Sequence, residues 1–116
     1  MTAAAELRRI DLCAADEVPP GTMKLCEVED ELVLVTNVAG ELRAAQGICS
    51  HEYFELDRGV LTGDSILCTL HLSRFSLIDG EVIDPPAELP LVVYPVVLDG
   101  GRVVIEVPAG PLQVNR

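Results

Sequence analysis

The sequence predicts an all-β fold, a sandwich or barrel with one irregular insertion, and three observations predict it. Short apolar and β-branched runs recur at close, regular spacing with turn residues between them. No segment sustains a helical repeat over three turns. Residues 47–71 break the strand rhythm and contain Gly59 and Gly63, so an irregular segment is set between strands.

Taken in order, residues 7–13 alternate loosely and form the first strand, which Pro19, Pro20 and Gly21 end. Residues 22–28 read as a strand, Glu29, Asp30 and Glu31 as a polar turn, and residues 32–36 as a β-branched, Leu-rich strand. Residues 37–40 turn the chain back and residues 41–45 return it. Within the irregular segment only residues 65–67 look like a strand. Residues 74–78 and 81–83 flank Asp79-Gly80, a hairpin signal, and residues 94–98 and 102–107 flank a second one at Asp99-Gly100-Gly101. A proline-rich loop fills residues 84–90, and residues 109–116 carry no pattern and are expected to be mobile.

With 116 residues the chain suits one domain. It has no Trp and only two Phe and two Tyr, so the core must be mostly Val, Leu and Ile. A net charge of −11 repels nucleic acid phosphate and anionic membrane alike. The same charge keeps a domain in solution and suits steering toward a basic patch on a protein partner. The first ten residues lack an apolar signal-peptide core, and the longest apolar run, residues 91–98, is too short to span a bilayer. The expected location is therefore the cytoplasm, where four Cys are not read as disulfides. Cys13 and Cys26 sit in alternating or apolar stretches and read as small core residues.

The other two cysteines stand beside the only two histidines. Cys49-Ser50-His51 is followed, after sixteen residues, by Cys68-Thr69-Leu70-His71. Each half offers one soft thiolate and one imidazole. A single tetrahedral zinc could take all four, although zinc modules usually pair like with like. Mixed halves suit a two-iron cluster, with both Cys on one iron and both His on the other. No further nucleophile–base pair stands out. Asp16-Glu17 and Glu29-Asp30-Glu31 read as solvated turns, and Gly100-Gly101 has no helix behind it to cradle a phosphate.

At these residues the chain resembles the Rieske family, and in particular the small Rieske ferredoxins of bacterial aromatic-ring-hydroxylating dioxygenase systems. The resemblance rests on Cys49-Ser50-His51-Glu52, Gly59-Val60-Leu61, Gly63-Asp64, Cys68 to His71, Ser73-Arg74-Phe75 and Asp79-Gly80. Pro85-Pro86 and Leu89-Pro90 resemble the proline loop that covers the cluster in that family. It implies an antiparallel β-sandwich with a small cluster-binding subdomain of loops and short strands. The base would be about residues 1–46 and 76–108, the cluster-binding part about 47–75, and the tail 109–116. It further implies one [2Fe–2S] cluster on Cys49, His51, Cys68 and His71, and a monomeric carrier without catalysis of its own. Two partners follow: a flavin-containing NAD(P)H ferredoxin reductase upstream and a terminal Rieske non-haem iron oxygenase downstream. Biphenyl, naphthalene and carbazole are the kinds of substrate such systems take.

Two departures stand out. The family's second loop commonly reads Cys-Pro-x-His-Gly; here Thr69 replaces the Pro and Leu72 the Gly. Losing Gly matters if that position needs positive φ, and Leu72 would place an apolar side chain at the cluster rim. The high-potential respiratory members carry an extra Cys in each loop, joined as a disulfide; neither loop here holds a further Cys, Phe54 standing at the first of the two positions. Those members also have Ser and Tyr hydroxyls near the cluster; Ser73 is present, but Phe75 has no hydroxyl. Fewer hydrogen bonds to sulfur, with many acids nearby, imply a potential close to about −150 mV, the bottom of the Rieske window. Two other identities compete: the Rieske-like small subunit of a nitrite reductase, many of which lack the ligands, and a structural zinc module without redox activity.

Overall fold

A computed structural model describes residues 6–70 and 72–116. Its strands are β1 (Leu7–Ala14), β2 (Met23–Val28), β3 (Glu31–Val38), β4 (Glu41–Gln46), β5 (Val60–Thr62), β6 (Ser65–Cys68), β7 (Ser73–Ser76), β8 (Val82–Asp84), β9 (Val93–Tyr94), β10 (Val96–Asp99) and β11 (Arg102–Pro108). They form three antiparallel sheets, ordered β1-β11-β10, β2-β3-β4-β9 and β5-β6-β7-β8. The all-β expectation holds, with only two single-turn 3₁₀ segments, Ala15–Glu17 and Leu56–Arg58, among the described residues.

The β2-β3-β4 meander follows the predicted turns. Glu29 (φ 56°) closes the first, and Ala39 (φ 54°) with Gly40 (φ 91°) closes the second. Asn37 secures that second turn by accepting from the Gly40 amide at 2.8 Å and donating to the Val18 carbonyl at 2.8 Å. Strand β3 runs beyond the predicted 32–36 in both directions because Glu31 and Val38 still find partners, Val28 and Glu41.

The Asp99-Gly100-Gly101 signal gives a two-residue hairpin in which Asp99 faces Arg102. Gly100 (φ 58°) and Gly101 (φ 80°) supply the two positive φ values that such a turn requires. Its incoming strand is not continuous, however. Pro95 has no amide to give, so the chain leaves one sheet after Tyr94 and enters the other at Val96. Tyr94 pairs with Ala44 in one sheet, and Val96 with Ile105 in the other.

The Asp79-Gly80 signal is a wider loop than expected. β7 stops at Ser76 and β8 starts at Val82, with a register shift between Arg74 and Phe75. Leu77 is drawn into the core instead of continuing the strand. Gly80 (φ 80°) lies so close to Leu91 that a Cβ there would overlap the Leu91 carbonyl. Strand β5 was not expected at all. It is three residues long, and Gly63-Asp64 turns it onto β6.

The unpatterned residues at 109–116 are packed. Leu112 is buried, the Tyr94 hydroxyl donates to the Gln113 carbonyl at 2.5 Å, and Arg116 pairs with Glu31 at 2.6 Å. These are single, non-periodic contacts, which is why no pattern announced them.

Three apolar clusters hold the sheets together. Val28, Val33, Ala44, Tyr94, Ile105, Val107 and Leu112 form one, and a second gathers Cys13, Val18, Cys26, Val35 and Val103 between the β1-β11-β10 and β2-β3-β4-β9 sheets. Cys13 and Cys26 are thus core residues, as expected, and burial pushes both thiols up, Cys26 to about 12. The third cluster joins Leu34 of the meander to Ile66, Phe75, Leu77 and Leu91, and it contains Cys49 and Cys68.

Candidate metal centre

The two halves of the Cys/His pattern lie at the ends of two backbone arches. In the first, the Ile48–Glu55 bridge brings the chain back on itself, and the Cys49 amide donates to the Phe54 carbonyl at 3.0 Å. The Leu56 amide donates to the Gly47 carbonyl at 2.8 Å and closes the base. Gly47 is required here, since a Cβ would press on Leu25 and on the Leu32 backbone. In the second, Cys68 ends β6 opposite Ser73 on β7, and the Leu72 amide donates to the Cys68 carbonyl at 2.8 Å.

The arches orient their residues in opposite senses. Cys49 (4% exposed) and Cys68 (1%) both point into the apolar cluster with Leu56, Ile66, Phe75, Ala87 and Leu91. His51, with its neighbours Glu52 and Tyr53, faces outward. His71 lies outside the described residues. Phe54 packs against the apolar cluster, and Thr69, in place of the family's Pro, is exposed.

A third segment closes over the first arch. The Pro85–Pro86 bond is cis, and Ala87 is buried with its amide donating to the Ser73 hydroxyl at 2.9 Å. Further along, the Leu89 carbonyl accepts from the Ser50 hydroxyl at 2.5 Å. Ser50, His51, Pro86, Glu88 and Leu89 line one open depression. The proline loop therefore sits on the first arch through Ser50, which lies between Cys49 and His51.

Leu72 answers the question its sequence position raised. Its φ is 65°, in the left-handed region where glycine is at home, and its side chain is 63% exposed. Leu70 (45%) and Tyr53 (70%) are also exposed, so both arches present apolar surface to solvent.

The chemistry of the donor set, two thiols and two imidazoles in the sequence, fits a two-iron group. A bridged pair of irons asks for two protein donors at each metal, not three or four at one. The two thiols buried in one apolar cluster and the exposed imidazole of His51 supply three of those four donors. Reasoning from sequence missed Ser50 and Ala87 as loop-tying positions; the lone signal for Ser50 is its place inside Cys-x-His.

Comparison with known proteins agrees. The family model for the Rieske [2Fe–2S] domain matches residues 8–95. The biphenyl dioxygenase ferredoxin subunit of Pseudomonas sp. (strain KKS102) is 38% identical over 95 residues, covering 81% of this chain and 87% of that protein. Among solved structures, the Sphingomonas yanoikuyae B1 ferredoxin superposes with a TM-score of 0.82 at 28% identity, covering 87% of this chain and all of the other. The ferredoxin in a complex of reduced oxygenase and oxidised ferredoxin of carbazole 1,9a-dioxygenase gives 0.78 at 30% identity, with 84% of this chain and 91% of that one covered.

Proposed function

The chain belongs to the Rieske [2Fe–2S] domain family, and from that premise we propose that it is the ferredoxin of an aromatic-ring dioxygenase system of the biphenyl, naphthalene or carbazole kind. It takes electrons singly from a flavin-containing NAD(P)H-dependent reductase and passes them to a terminal Rieske non-haem iron oxygenase. The observation that carries this reading is the burial of Cys49 and Cys68 in one apolar cluster, with His51 exposed two residues beyond the first of them.

In this reading Cys49 and Cys68 hold one iron and His51 and His71 the other. When bound, the cluster supplies one-electron chemistry at a higher potential than an all-cysteine cluster, because two neutral imidazoles replace two thiolates. Leu56, Phe75 and Leu91 keep water from the two sulfurs. The outward face at His51 is where a partner comes closest.

Charge supports a carrier. Among the described residues, seven of the eight Lys and Arg are paired with carboxylates, namely Arg8, Arg9, Lys24, Arg43, Arg74, Arg102 and Arg116. The surplus acids therefore dominate the field that a basic patch on a partner would meet. Both histidines of the sequence are committed, leaving none for a mononuclear iron, so catalysis belongs to the oxygenase.

The test is EPR of the purified protein before and after anaerobic dithionite reduction. A silent oxidised sample and a rhombic reduced signal, with an average g below that of all-cysteine clusters, is the expected result. No signal, with zinc found by metal analysis, would replace the carrier with a structural zinc module.

A further inference from the structure

Residues 112–116 lie beyond the family match at 8–95, yet they are wired to both segments that flank the cluster site. The junction is Gln46, the last residue of β4, which is 2% exposed. Its carbonyl oxygen accepts from the Val92 amide at 2.8 Å and the Asn115 amide at 2.9 Å. Its amide nitrogen donates to the Ile48 carbonyl at 2.8 Å and the Asn115 carbonyl at 2.7 Å. The Asn115 side-chain amide then donates to the Pro90 carbonyl at 2.9 Å.

Both ends of this network stop one residue short of the site. Ile48 precedes Cys49. Pro90 follows Leu89, whose carbonyl receives the Ser50 hydroxyl. A displacement at Asn115 is thus felt at the base of the first arch through Gln46 and at the loop above it through Pro90. The same residues are held from behind by buried Leu112 and by the Tyr94–Gln113 bond.

We propose that Asn115 is a positioning residue for the cluster: residues 112–116 act as a strap that holds the proline loop down on the first arch. This rests on the reading that Cys49 and His51 are cluster ligands. Asn115 touches neither ligand; it fixes the backbone that closes over them. An alanine at 115 keeps both backbone bonds to Gln46 and removes only the tie to Pro90.

The test uses full-length Asn115→Ala, with Lys24→Ala as control, since its exposed ion pair with Glu17 lies outside both the strap and the Gln46 network. Hydrogen exchange of amides 87–92 should quicken about five-fold in Asn115→Ala, the factor expected from losing one ordinary hydrogen bond, while amides of β11 stay unchanged. In holoprotein, loss of the visible chromophore to a chelator should quicken by a similar factor, and the midpoint potential should move. Asn115→Gln, which keeps a side-chain amide, should restore part of each. Removing residues 112–116 should exceed the effect of alanine; should that protein fail to fold, Asn115→Ala still decides. Wild-type exchange in the loop of Asn115→Ala overturns the strap. Faster exchange with an unmoved potential and unchanged cluster loss overturns the positioning role. Wild-type protein that binds no iron overturns the cluster reading, while the exchange measurement continues to test the strap by itself.

Discussion

The backbone amide of Leu72 donates to the carbonyl of Cys68 at 2.8 Å, closing the arch that carries the second half of the ligand motif. Closure sends Leu72 to φ 65° with its side chain in solvent. A Leu held there costs about 1 kcal/mol against glycine and gains almost no burial in return. Leu72→Gly should therefore raise the melting temperature by a few degrees. Leu72→Val, β-branched in the same conformation, should lower it. A lower melting point for the glycine variant would mean that the Leu side chain stabilises the arch.

Gly80 predicts the opposite sign. A methyl group there would overlap the Leu91 carbonyl while φ stays at 80°. Gly80→Ala should lose about 3 kcal/mol of stability, read by urea denaturation, and the loss should centre on the sheet β5-β6-β7-β8. An alanine variant as stable as wild type would show that the loop to Leu91 can give way.

Ligand replacement separates cluster binding from electron transfer. His51→Ala or His71→Ala should abolish the EPR signal and bring iron content toward zero, because each removes half of one iron's protein donors. A variant that keeps its iron while transferring electrons slowly would contradict the assignment. For the wild type, a redox titration should place the midpoint near about −150 mV, and a value well above zero would overturn that expectation.

High pH should weaken the fold through its buried thiols. Burial holds the folded Cys26 thiol up at about 12, against an ordinary value of 9.0. Between those values the unfolded chain has released a proton that the folded chain keeps. The stabilisation is therefore complete below about pH 9 and is lost as pH rises toward 12. The slope from this one group is at most about 1.4 kcal/mol per pH unit. Cys13 and Tyr94, also raised by burial, act in the same sense. Cys26→Ala should flatten the alkaline limb of a stability–pH curve without altering the neutral plateau's shape.

Much of this was readable in residue order. The meander of β2, β3 and β4 was legible because apolar alternation and turn residues agree there. The Cys49/His51 and Cys68/His71 motif stands out in the sequence because the only two histidines each follow a cysteine, and the structure gathers its two cysteines in one apolar cluster. Strand β5 escaped because three residues cannot display a period, although Gly63-Asp64 is a turn dipeptide that could have exposed it. The break at Pro95 was hidden because a change of sheet leaves alternation nearly intact on both sides. Packing of residues 112–116 was illegible for a different reason. It depends on Gln46, whose four side-chain hydrogen bonds reach partners from residue 48 to residue 115.

The seam between β1 and β11 governs when this molecule can be finished. Arg9 lies opposite Glu106, and β1 has no other strand partner among the described residues. On a translating ribosome β1 thus waits for β11, made about ninety residues later, before it can pair, while the β2-β3-β4 meander is free to close early on its own local contacts. Nascent chains stalled before residue 102 should remain open to protease within residues 7–14. Iron delivered to such a chain would meet both arches before the shell around them is complete.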